Sequence, residues 1–534
     1  MWSQTYTPVL NDLRWSAIAA ALPLFVLLLL LGVMRKPSWI ASLAGLGAAF
    51  AVAIGIYRMP VGLAFSSALY GAAYGLLPIG WIVFSAILLY RLTVETGNFE
   101  ILKDSIGNLT SDQRLQALLI AFSFGAFIEG ACGFGTPVAV AAAMLSGLGF
   151  SPFYAASICL LANTSPVAFG SIGTPLVMLH TVTGLPMDPL SSDVGRICAP
   201  VSLIVPTYLM FVMGGWRAWR AVAPAALVCG LAFASVQFYV SNHLGPYLTD
   251  ILGSLCAIGA LVVLLHMWRP RDSKESGARR RENVGRVLRA WLPYVLLVIF
   301  VLLWGFDSVK AWLNRATLVF AWPGLHNLIQ QMPPVTAAAA PYAAKFTFNW
   351  LSAAGTSCFL AAALSSLLLG MSPWQFVRLI GSTARQLALP LLTISAVLAL
   401  AFLMNYSGAS ATLGLAFAAT GALFPFFSGW LGWLGVFLTG SDTSANALFG
   451  NLQVVTAHKL GLNAALMAAA NSSGGVMGKM ISVQSICVAA AATRMKASEE
   501  SQLFRFTLRH SLIFATLTGL IVAAYAYLEP GWVK

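Results

Sequence analysis

The 534-residue chain is 59% hydrophobic and only 9% charged, with a mean hydropathy of +0.82. Soluble proteins carry roughly a quarter charged residues, which excludes a water-soluble globule; the apolar runs are continuous, not alternating, which excludes a transmembrane β-barrel. The net charge of +13 reads as the basic bias of cytoplasmic loops, not as a nucleic-acid surface, so no nucleic-acid partner is expected.

The first long apolar run, WSAIAAALPLFVLLLLLGVM, ends at Arg35 and Lys36, and residues 1–12 hold no Lys or Arg. That is the reverse of a secretory signal and reads as a retained first span. Further candidate spans follow at 37–57, 61–77, 79–94, 114–130, 137–149, 153–168, 171–186, 196–214, 221–240, 246–266, 291–306, 345–370, 386–404, 410–428, 430–446, 462–474, 480–493 and 510–528. Runs of about 18 residues can cross a bilayer. The shorter ones read as half-helices or re-entrant pieces, because unwound backbone survives in lipid only when buried in protein or facing a wet cavity. The expected fold is an all-α polytopic membrane protein with about 11–14 transmembrane helices and two re-entrant regions.

Basic loops at 34–36, 217–220, 267–290, 378–385 and 494–509 should face the cytoplasm, which leaves both termini outside. The stretch 269–289 alone carries eight Lys/Arg against three acidic residues. This cytoplasmic basic loop, 267–290, separates a first half, 1–266, from a second, 291–534. The weakly charged connection 307–344, rich in Trp, Pro and Ala, should lie on the outer interface.

The halves repeat each other. FGAFIEGACGFGTPVA (124–139) and GVFLTGSDTSANAL (435–448) both run from an apolar helix into a Gly and a small polar stretch. NTSPVAFGSIGTP (163–175) and NSSGGVMGKMISV (471–483) follow at similar distances, with Asn163 matching Asn471, Ser165 matching Ser473 and Gly170 matching Gly478. The repeat motifs cover 114–186 and 430–493. Interrupted hydrophobic segments at corresponding positions of two halves mark secondary transporters.

A broken helix exposes N–H groups and a dipole that attract an anion. Gly133, Thr136, Asn163, Thr164 and Ser165 in the first motif, and Ser441, Thr443, Ser444, Asn471, Ser472 and Ser473 in the second, are therefore candidate substrate-binding residues. The competing reading is that the small residues only let helices pack closely. Glu129 and Asp442 each follow a long uncharged run. An ionisable group at such depth is a functional candidate, and desolvation favours a carboxyl's neutral form, so both are candidate proton-coupling residues; a helix cap or an ion pair is the structural alternative. Lys479, deep in an apolar stretch, should either contact a substrate carboxylate or pair with Asp442 or Glu129. His180 and His458 read as loop or helix-end residues. The seven cysteines form no CxxC, and there is no P-loop, HExxH or G-x-S-x-G, so no metal, no cofactor and no enzyme activity is expected.

GNFEILKDSIGNLTSDQRLQALLIAFSFGAFIEGACGFGTPVAVAAAML, LLANTSPVAFGSIGTP, GSDTSANALFGNLQ and NSSGGVMGKMISVQS resemble the L-lactate permease family of bacterial inner-membrane proteins. The resemblance runs the length of the chain. It implies proton-coupled symport of the small monocarboxylates L-lactate, D-lactate and glycolate. It also implies two inverted repeats with re-entrant hairpins, Asn-Ser/Thr motifs that hold the carboxylate, and an elevator-like domain moving against the scaffold of a homodimer in the bilayer. Two alternatives stay open. A sodium-coupled di- or tricarboxylate carrier would ask for more buried cations than Lys479, and an anion channel would want a continuous lined pore.

Overall fold

Helices dominate the computed structural model, which describes residues 1–107, 109–133, 135–268, 270 and 284–533. Among the described residues, 11 helices are long and apolar enough to cross a membrane, or up to 12 with the bent pair Pro152–Ala162 and Val167–Thr183. Helices satisfy every backbone group internally, which lipid demands. Each half presents the same order of elements. A long helix comes first (Val61–Glu95; Pro373–Ser407), then a short one (Asn98–Gly107; Ala409–Phe417). A hairpin follows: Gln113–Ala131 with Thr136–Gly147, and Phe424–Thr439 with Asp442–Leu460. A broken helix comes next, Pro152–Ala162 with Gly170–Thr183 and Ala464–Lys479 with Val483–Thr493, before a long closing helix.

The elements sort into two packed groups. Leu13–Gly32, Ser38–Ile56, Val61–Glu95, Val284–Gly305, Ala354–Leu368 and Pro373–Ser407 form a scaffold. Its centre is the antiparallel contact of the two long helices. A Cβ on Gly71 would lie 2.4 Å from the Leu398 carbonyl oxygen, and one on Gly75 would lie 2.6 Å from Ser395 Cα. Small residues there let the backbones touch. The hairpins and broken helices form the second group with Met187–His243, Thr249–Met267 and Glu499–Tyr527.

Several expected boundaries move. Spans 61–77 and 79–94 are one assembly kinked at Leu77, which leaves helical geometry (φ −137°). Spans 196–214 and 221–240 belong to Met187–His243, broken at Gly214, Gly215 and Val222. Span 345–370 opens as the strand Lys345–Phe348, paired with Leu318–Ala321, before the helix Ala354–Leu368 begins. The extended pairing with Leu318–Ala321 holds this stretch out of helix and explains the late start. Span 410–428 continues into the next as Ala409–Thr439, and span 430–446 crosses a hairpin turn at Gly440, in left-handed geometry (φ +73°).

The termini share one face. Trp2–Ser3 pairs in parallel with Ile329–Gln330, and the Gln4 amide donates to the carbonyls of Asn405 and Tyr406 at 2.9 Å each. Near the other end, the Tyr525 hydroxyl donates to the Arg196 carbonyl at 3.2 Å. Arg35, Lys36, Arg217, Arg220 and Arg494 lie at the far ends of the crossing helices. Residues 269 and 271–283 of the expected basic loop are outside the described residues.

Candidate functional site

Both hairpin turns and both helix breaks open onto one cavity of about 280 Å³ between the two groups. The first break falls where expected. Asn163 ends one helix, and the chain bends by 65°. It passes through left-handed geometry at Ser171, Ile172 and Gly173 (φ +47°, +55°, +70°) before helix resumes at Thr174. Left-handed backbone is costly at a β-branched Ile and is held only by its surroundings.

The second break does not fall at NSSGG. Ala464–Lys479 is continuous helix, and a short interruption at Met480–Ser482 follows, without the sharp bend of the first break. The glycines serve packing instead. A Cβ on Gly474 would lie 2.1 Å from the Gly429 carbonyl oxygen, and one on Gly478 would lie 2.3 Å from that of Trp433. Asn471, Ser472 and Ser473 are thus buried inside a helix, not at a half-helix N-terminus.

The N-terminal ends of Asp442–Leu460, Gly170–Thr183 and Val483–Thr493 reach the cavity through Ser441 and Asp442, through Ser171 and Thr174, and through Gln484. Each such end carries partial positive charge. Ser441 caps its helix by accepting from the Ser444 N–H at 3.3 Å. Lys479, only 7% exposed, ends its own helix and donates from Nζ to the Gly440 carbonyl at 2.6 Å. It therefore compensates the negative ends of two helices. Ion pairs among the described residues include Arg91–Glu95, Lys103–Glu100, Arg114–Asp112 and Arg196–Asp193, all away from this cavity. Lys479 does not pair directly with either carboxyl, but its field reaches both Glu129 and Asp442.

Asp442 is fixed by the closing hairpin helix and the second broken helix. Its Oδ2 accepts from the Ser472 hydroxyl at 2.6 Å and from Asn446 Nδ2 at 3.4 Å. Asn446 Nδ2 also donates to the Pro175 carbonyl at 3.1 Å, and its Oδ1 accepts from Asn471 at 2.9 Å. One side chain so ties the two broken helices together. Oδ1 of Asp442 and Oε2 of Glu129 have no hydrogen-bond partner among the described residues.

The cavity has two unlike walls. The hairpins and breaks supply all the groups above. The scaffold supplies Leu27, Leu31, Trp39, Pro390, Ile394 and Val397. It also supplies Ser38, and two of its other hydroxyls turn back on their own helices: Ser42 donates to the Ser38 carbonyl at 2.7 Å, and Thr393 to that of Leu389 at 2.9 Å.

Of the residues singled out in the sequence, Glu129, Gly133, Ser441, Asp442, Thr443, Ser444 and Lys479 line this cavity. The others do not. The Thr136 N–H donates to the Gly133 carbonyl at 3.2 Å, just past the hairpin turn. Thr164 is turned to the Leu161 carbonyl at 2.7 Å, and the Ser165 carbonyl accepts from Gln237 at 3.1 Å. Asn163 is buried beside Glu129. His180 is held at its helix end, its Nδ1 2.6 Å from the Leu185 carbonyl. Sequence reasoning missed Ser171, Thr174 and Gln484, although the first two lie in the quoted GSIGTP. It also missed Asp250, which packs against the Glu129 helix although the candidate span 246–266 contains it.

The profile of the L-lactate permease family matches residues 16–529. The L-lactate permease of Bacillus subtilis (strain 168) is 46% identical, with 97% of each chain covered. The glycolate permease GlcA of Escherichia coli (strain K12) is 44% identical, with 99% of each chain covered. Among solved structures, the YdaH transporter of Alcanivorax borkumensis aligns over 96% of this chain and 99% of its own at 13% identity, with a TM-score of 0.48.

Proposed function

The chain belongs to the L-lactate permease family and is a membrane transporter, not an enzyme; from that membership we propose that it carries L-lactate, glycolate and D-lactate across the bacterial inner membrane together with protons. One observation carries the reading. Helix N-termini, a buried lysine and two buried carboxyls meet at a cavity sized for a small organic acid. The helix ends and Lys479 suit one carboxylate. The hydroxyls of Ser171, Thr174, Ser441 and Thr443 suit a 2-hydroxyl. Asn163 to Ser165 and Asn471 to Ser473 stand behind the cavity as the frame of these groups.

In this mechanism a proton from outside neutralises Glu129 or Asp442. The substrate then enters beside Lys479, so the filled site carries less net charge through the membrane. Inside, the proton leaves first and the anion follows. The repeated element order and the antiparallel long helices support two inverted repeats, with the hairpin group sliding as an elevator against a scaffold that also makes a homodimer. The basic face would be cytoplasmic and both termini periplasmic. Lys479 is the one cation at the cavity among the described residues, which favours a monocarboxylate over a sodium-coupled di- or tricarboxylate.

The test is lactate-driven proton uptake in proteoliposomes. Glu129→Gln or Asp442→Asn is expected to abolish it while labelled-lactate counterflow persists. Full coupled uptake in both variants would remove the carboxyls from the mechanism, and uptake that follows sodium would overturn proton coupling.

A further inference from the structure

Behind the cavity, the helix Thr249–Met267 crosses the Glu129 helix at a glycine. A Cβ on Gly130 would lie 2.7 Å from Asp250 Cβ and 3.1 Å from the Ile251 nitrogen. That contact sets Asp250 beside the residue next to Glu129, near enough for the two carboxyls to repel when both are ionised. Asp250 is 1% exposed, and neither of its carboxyl oxygens has a hydrogen-bond partner among the described residues.

The bland reading is that Asp250 only favours the positive N-terminal end of its helix. That benefit is small beside the cost of burying a carboxylate with no partner. The charged groups around it supply no counter-ion. From the first hairpin it faces Glu129, and from Met187–His243 it faces the Cys198 thiol. On that same long helix Arg196 pairs with Asp193 instead. Tyr247, on the preceding loop, is in the field of Asp188. Lys479 reaches Glu129 from the far side.

We propose that Asp250 and Glu129 share one transported proton: Glu129 takes it at the cavity, and Asp250 holds it behind the first helix break while the anion is bound. This rests on the proton-symport reading above and assigns Asp250 a role in it. Two like carboxyls in one site cannot both ionise easily, and sharing a proton is the usual resolution. Glu129 can then stay ionised near Lys479 without its proton being lost to the cytoplasm.

The experiment compares Asp250→Asn, Asp250→Glu and the native protein in proteoliposomes, reading labelled-lactate counterflow and accumulation driven by a pH gradient. The native protein must accumulate lactate on a pH gradient; if it does not, the symport reading fails and this proposal with it. With native coupling intact, Asp250→Asn is expected to keep counterflow and lose gradient-driven accumulation. Asp250→Glu is expected to keep both, with a displaced pH profile. Native-like accumulation by Asp250→Asn would overturn the proposal. If Asp250→Asn loses counterflow as well, the Asp250→Glu pH profile decides, and a profile superimposable on the native one would overturn it. Accumulation driven by a sodium gradient, lost in Asp250→Asn, would also overturn it by making the site one for a metal cation.

Discussion

Replacing Lys479 by Met tests the centre of the site. The ammonium has three N–H donors, and one is committed to the Gly440 carbonyl at 2.6 Å. The others remain for a substrate carboxylate. A hydrogen bond to a charged group contributes about 1.5–3 kcal/mol, which converts to roughly 10- to 150-fold in half-saturating lactate concentration. Met fills similar volume but leaves the Gly440 carbonyl buried and unmet, at about 1–3 kcal/mol of stability. Lys479→Met should therefore lower the Tm in detergent and raise half-saturation in counterflow by that factor. Lys479→Arg keeps the charge but brings a planar fork with different reach, and its affinity should fall between the two. A folded Lys479→Met protein with half-saturation within about twofold of native, under 0.5 kcal/mol, would refute substrate contact and leave the lysine a helix-end cap.

Gly474→Ala should lower the Tm without altering the affinity of the protein that survives. Its Cβ would lie 2.1 Å from the Gly429 carbonyl oxygen, and overpacking costs about 1–3 kcal/mol; an unchanged Tm would return NSSGG to the role of a break. Asn446→Ala removes the donor shared by Asp442, Ser472 and the Pro175 carbonyl. With about 1–3 kcal/mol for each buried group left unmet, both stability and counterflow should fall, and a native-like Tm would show the network to be incidental. In a background with the native cysteines replaced, Ser171→Cys should react with a small thiol reagent and be protected by lactate, while Asn163→Cys should not react. The opposite pattern would put the cavity on the wrong side of the first break.

Sequence and structure agree where a residue type had one physical use. A carboxyl or lysine in a long apolar run has few places to go, so Glu129, Asp442 and Lys479 all arrived at the cavity. NTSP broke the helix because Pro166 cannot continue it. NSSGG has no such residue, and glycine serves packing as well as breaking; only the facing helix Phe424–Thr439 decides which, and periodicity does not reveal that partner. Thr249–Met267 shows a different loss. Asp250 lay close to the start of a candidate span and was passed over, whereas its packing in this fold is set by Gly130 across the interface. The strand before Ala354 was likewise decided by its pairing partner, whereas the kink at Leu77 was open to a local reading, because Leu77 precedes Pro78.

Apart from Ser38 and the Trp39 indole, the scaffold wall offers a bound acid little to hold. With Ser42 and Thr393 bonded to their own helices, most polar grips on the cargo belong to the opposite bank. If that bank glides, the passenger travels with most of its ties, and few have to be cut at the seam. Friction there reduces to side chains such as Leu31, Ile394 and Val397 slipping past apolar neighbours. A single new donor planted on that dry side, for example at Ile394, would act as a brake, slowing turnover more than it weakens grip.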